Sequence, residues 1–96
     1  MEIDKKQIDA WKAQYGDVFK IEAGDKICYL RRPNRKELSY ASVAGSTDPL
    51  KYNEILLQAC WLGGDKEIQT NDGLFLSVSQ HLSSLIDITE TNLVKL

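Results

Sequence analysis

The chain has 96 residues, 43% hydrophobic and 27% charged, with a formal net charge of −2: enough apolar matter for one domain with a modest core, and too much for a disordered chain. A slightly acidic balance argues against non-specific binding to duplex DNA, which relies on a basic surface. No apolar run approaches the roughly 20 residues that span a bilayer, and the N-terminal MEIDKKQ lacks a signal peptide's apolar stretch, so a cytosolic protein with no membrane partner is expected.

Asp4 and Gln7 form a D-x-x-Q capping pair, with Ile3 and Ile8 at the spacing of a hydrophobic staple. Ile8, Trp11 and Tyr15 then recur at i, i+3 and i+7, and Gly16 follows. A helix over 5–15 is predicted, with Trp11 and Tyr15 toward the core. A β-hairpin over 17–31 comes next, turning at Gly24-Asp25. That turn sets Ala23 against Lys26, Ile21 against Cys28 and Phe19 against Leu30. One face then collects Phe19, Ile21, Cys28 and Leu30, while the other mixes Val18, Ile27 and Tyr29 with charge. A slip of one residue would scramble both faces, so the pattern supports this register.

Pro33 disfavours further pairing, and the N-x-x-E of Asn34 and Glu37 caps a helix over 34–44. Leu38, Tyr40, Ala41, Val43 and Ala44 give that helix a weakly apolar face. Asp48 and Pro49 open the densest apolar run, YNEILLQACWL, read as a helix over 49–62. Only Lys51, Glu54 and Gln58 form a polar stripe on it, so it is expected at the centre, with Leu57 and Trp61 almost fully buried. Gly63-Gly64 reads as its stop. Residues 65–72 read as a polar loop with room for one helical turn. Phe75, Val78, Leu82 and Leu85 mark an amphipathic helix over 72–86, capped by Thr70, Asn71 or Asp72. The tail over 88–96 keeps Leu93, Val94 and Leu96 and is either a short helix capped by Thr89 or extended. The expected fold class is α+β: a mainly helical single domain with one N-terminal hairpin packed on four or five helices.

No constellation for catalysis stands out. His81 is the one histidine and has no triad frame around it. Gly63-Gly64-Asp65 lacks the spacing of a phosphate loop. Asp65, Glu67 and Asp72 lack the mid-loop glycine and closing glutamate of a calcium loop. Cys28 and Cys60 sit inside apolar runs and read as buried free thiols in a reducing compartment. No cofactor or metal is expected. Arg31, Arg32, Arg35 and Lys36 crowd a strand end and a helix start, where the helix dipole disfavours cations. The main readings are a solvated strand end partly balanced by Glu37 and a landing site for an acidic partner segment or backbone carbonyls; nucleic acid is the remaining one, without the aromatic-interleaved stripe of single-strand binders.

The joint YLRRPNR (29–35), the central ILLQACWLGGDKEI (55–68) and the helix LFLSVSQHLSSLI (74–86), after a short helix and a hairpin, resemble small tail assembly chaperones of tailed phages and prophages. The resemblance implies a non-enzymatic helper in the host cytoplasm. The expected partner is the tape measure protein, with the tail-tube protein as a second candidate and no nucleic acid. Homo-oligomerisation is left open. A prophage-encoded interaction or regulatory module is the alternative. The expected partner-binding residues are Arg31, Arg32, Arg35 and Tyr29, with the outer hairpin face (Val18, Ile27, Tyr29) and the tail as apolar surfaces.

Overall fold

The capping pair at Asp4 works as its spacing suggests: the Asp4 carboxylate accepts the Gln7 N–H at 2.9 Å and starts helix α1, Lys5–Tyr15. The computed structural model describes residues 3–86 and 91–96. Strand β1 (Val18–Ala23) pairs antiparallel with β2 (Lys26–Arg31) in the expected register, from Ala23 opposite Lys26 to Phe19 opposite Leu30. Gly24 has φ +64° and Asp25 does not turn positive, the pattern of a hairpin turn with glycine at its first central position.

Helix α2 (Arg35–Ala44) begins with a complete capping box. The Asn34 side chain accepts the Glu37 N–H, and the Glu37 carboxylate accepts the Asn34 N–H. Helix α3 (Pro49–Cys60) starts at the Asp48 cap as expected and ends two residues short of the expected 62. Trp61–Gly64 leave the helix and form strand β3, antiparallel to β2, so the hairpin is the greater part of a three-stranded sheet in the order β1-β2-β3. The register places Gly64 opposite Cys28 and Gly63 opposite Tyr29, then slips so that Trp61 meets Leu30.

The glycine pair that reads as a helix stop is therefore a strand, and close approach is the reason. Gly64 has φ +128°, and a Cβ there would run into the Ile27 carbonyl oxygen. A Cβ on Gly63 would lie 3.1 Å from the Trp11 ring. Asp65 closes the ladder: its N–H donates to the Ile27 carbonyl and its carboxylate accepts the Ile27 N–H, at 2.9 and 3.0 Å. Trp61 is consequently half-buried instead of enclosed.

After one helical turn, α4 (Glu67–Thr70), Asn71 caps α5 (Asp72–Ser79). The expected helix over 72–86 stops early. The Ser79 hydroxyl donates to the Phe75 carbonyl at 2.7 Å, an alternative to the helical ladder that weakens continuation. Leu82–Leu85 resume as a 3-10 turn.

One face of the sheet, with Ile21, Cys28 and Leu30, packs on Leu56, Leu57 and Cys60 of α3, Ile68 of α4, Val78 of α5, and Leu82 and Leu85. Ala41 joins them from α2. Leu57 is 1% exposed, so α3 is the central helix. Both cysteines are free and buried, and burial pushes each thiol up to about 11. The expected tail over 88–96 lies partly outside the described residues. Residues 91–96 have no regular structure and are exposed. Among the described residues, no helix is long and apolar enough to cross a membrane.

Candidate partner-binding site

The basic joint divides once its neighbours are known. Arg31, the last residue of β2, points its guanidinium into the corner between α2 and α3. It grips Glu37 with both terminal nitrogens, at 2.9 and 2.6 Å, and donates to the Ala59 carbonyl at 2.7 Å. Ala59 lies in the last turn of α3, where carbonyls have no helical partner. One arginine thus ties β2, α2 and α3 together. The hydrogen bonds with Arg31 hold the Glu37 carboxyl below its ordinary value, and the same contact raises Arg31. The Tyr15 ring lies 5.7 Å below the guanidinium, so Tyr15 serves this corner and stays exposed rather than entering the core as expected.

Arg32 faces the other way. It donates to Asp17 at 2.9 Å and to the Leu85 carbonyl at 2.9 Å, and it stacks over Phe19 at 4.8 Å. These contacts fasten the 3-10 turn to the start of β1.

Tyr29 is 3% exposed. Trp11 packs against it at 5.8 Å between ring centres, and its hydroxyl accepts the Ile3 N–H. Helix α1 therefore lies across the hairpin face expected to be open, because the 3-4 spacing of Ile8, Trp11 and Tyr15 gives α1 an apolar side to bury. Of the four expected partner-binding residues, Tyr29, Arg31 and Arg32 are engaged inside the fold. Arg35 is exposed and, with Lys36, has no ion pair among the described residues.

Arg35 and Lys36 open a different surface. Along α2, Lys36, Tyr40 and Val43 recur at i, i+4 and i+7 and face outward; Tyr40 is 67% and Val43 73% exposed. Leu38 and Ala41 take the opposite, inward side. The single apolar face expected of this helix is two stripes. Two sets of i, i+3 pairs offset by two residues, 38 with 41 and 40 with 43, carry that signal, since two helical positions are about 200° apart. Beside the outer stripe a groove of about 510 Å³ runs between α2 and α3, lined by Lys36, Glu37, Tyr40, Ile55, Gln58 and Ala59.

The surface offers an exposed aromatic, aliphatic neighbours and, at one end, two cations with no ion pair among the described residues. An amphipathic helix fits such a groove, its apolar stripe along Tyr40 and Ile55 and its carboxylates toward Arg35 and Lys36. No family model matches the chain, and no curated protein or solved structure matches it.

Proposed function

We propose that the protein is a non-enzymatic tail assembly chaperone of the host cytoplasm that holds the tape measure protein until tail-tube subunits assemble on it. The outer face of α2 carries this reading: a stripe of exposed apolar residues next to a groove, with two cations that have no ion pair among the described residues. A tape measure chain is long and largely helical, and its apolar stripes need cover before assembly. The resemblance of residues 29–35, 55–68 and 74–86 to such chaperones supports the same role.

The test is co-expression with the cognate tape measure protein. The wild-type chain should raise the soluble fraction of the tape measure and co-purify with it. Tyr40→Ala with Lys36→Glu should lower capture at least about tenfold, the loss expected when an aromatic anchor and a charge contact are both removed. A tape measure equally soluble without the chain, or captured equally by the variant, would overturn the proposal.

A further inference from the structure

Helix α3 is flanked by two apolar surfaces, and they carry opposite charge. Toward α2 lies the face just described, with Arg35 and Lys36. Glu37 does not offset them, because its carboxylate is held in the fork of Arg31. Toward α5 lies a second groove of about 530 Å³. Leu50, Phe75 and Leu76 form its apolar part, and Leu50 is 51% and Leu76 49% exposed. Asp48, Glu54 and Asp72 border it against one ammonium, Lys51, which leaves it two negative charges in excess. Among the described residues, the α2 face is two positive charges in excess.

The two surfaces also sit at opposite ends of α3. The acidic groove uses Leu50, Lys51 and Glu54 from its first half, and the α2 groove uses Ile55, Gln58 and Ala59 from its second. A half-turn about an axis across the middle of α3 exchanges these ends. It lays the basic surface of one molecule on the acidic surface of another, and does so twice. A contact with that property closes as a two-fold dimer.

The exposed apolar residues point the same way. Outside the 91–96 tail, the large apolar side chains exposed among the described residues are Tyr15, Tyr40, Val43, Leu50 and Leu76. Tyr15 already has Arg31 above it; the other four all lie on these two surfaces.

We infer that the occupant of both surfaces is a second copy of this chain, with Tyr40 of each copy against Leu50 and Leu76 of the other. Lys36 and Arg35 then meet Glu54 and Asp72 across the interface. The inference does not depend on the tape measure reading. If both hold, partner capture and self-association compete for the α2 face.

Sedimentation velocity on the purified chain, from micromolar to near-millimolar concentration, reads the effect. The wild-type protein should dimerise, more weakly in 1 M salt than at low salt. Reversing one surface, Arg35→Glu with Lys36→Glu, should weaken the dimer at least about tenfold through like-charge contact. Reversing the other, Glu54→Lys with Asp72→Lys, should do the same. An equimolar mixture of the two variants should form a dimer again, since every contact in the mixed pair joins opposite charges. That recovery also shows both variants to be folded. A wild-type chain that stays monomeric throughout, or a mixture that fails to associate, overturns the inference. Its failure would leave capture of a tape measure by the single chain untouched.

Discussion

Arg31 ends β2 and Arg32 follows it; Arg35 and Lys36 begin α2, a few residues further along the chain. Their local sequences are equally basic, yet they do opposite work. The first pair is drawn inward, each arginine on a carboxylate and on a carbonyl from a distant element. The second pair stands at the rim of a groove and makes no ion pair among the described residues, the one carboxylate of that groove, Glu37, being held by Arg31. A cation's role is therefore decided by which orphan acceptors the fold brings near it. The last-turn carbonyl of α3 and the Leu85 carbonyl of the 3-10 turn are such acceptors, and a guanidinium can reach a carboxylate and a carbonyl at once. The same contrast runs through α2 as a whole, whose inner stripe is closed on the core while its outer stripe is open.

The closed side should be costly to disturb. Leu57 is enclosed on the inner face of α3, and Leu57→Ala should cost about 2–5 kcal/mol through lost burial and the cavity left behind. Urea melts measure this; a loss below about 1 kcal/mol would show that α3 is not the element the core is built on.

Arg31→Ala comes next. It leaves Glu37 without its fork and the Ala59 carbonyl without a donor, in a corner where the Arg31 side chain is only 20% exposed. The expected cost is about 2–3 kcal/mol. Arg32→Ala should cost less, since Asp17, its carboxylate partner, is 65% exposed and solvent screens such a pair. Equal and negligible losses for both would erase the distinction between the joint and the rim.

The Arg31–Glu37 contact also has a signature in pH. Glu37 is lowered in the folded chain by its hydrogen bonds with Arg31. A carboxyl with a depressed folded value favours folding fully above its unfolded value, about 4.3. That contribution is lost as pH falls through the folded value. The urea midpoints of wild type and Glu37→Gln should therefore differ most near neutral pH and converge in acid. A gap that stays constant down to about pH 2, well below any ordinary carboxyl, would mean that the glutamate acts through shape and not through charge.

Much of the closed side was legible because its signals are local. The Gly24-Asp25 turn and the alternation of Phe19, Ile21, Cys28 and Leu30 dictate one register. Asn34 with Glu37, and Asp48 with Pro49, mark two helix starts through caps that lie within a few residues of what they cap. Strand β3 was not legible for the converse reason. Gly63-Gly64 carries the signal of a helix stop, and its pairing depends on the Ile27 carbonyl and the Trp11 ring, both remote in the chain. The inward turn of Arg31 likewise depends on Ala59. The open side is half legible: the sequence singles out Arg35, but Tyr40 and Val43 read as one face with Leu38 and Ala41. The offset of two helical positions that separates them was there to be counted.

The smallest expected effect tests the open side. Arg35 and Lys36 are exposed in the first turn of α2, where the positive end of the helix dipole opposes cations by a few tenths of a kcal/mol. Neither has an ion pair to lose among the described residues. Replacing both with alanine removes a mild repulsion and returns the helix to a residue with a better propensity. The stability change should stay within about 0.5 kcal/mol and lean toward a gain. Thermal melts of the double variant beside those of Arg31→Ala make the comparison directly, because both experiments remove cations from one short basic run. A clear loss from Arg35→Ala with Lys36→Ala would mean that these residues hold the fold as Arg31 does, and the outer face of α2 would lose its claim to be held open for something else.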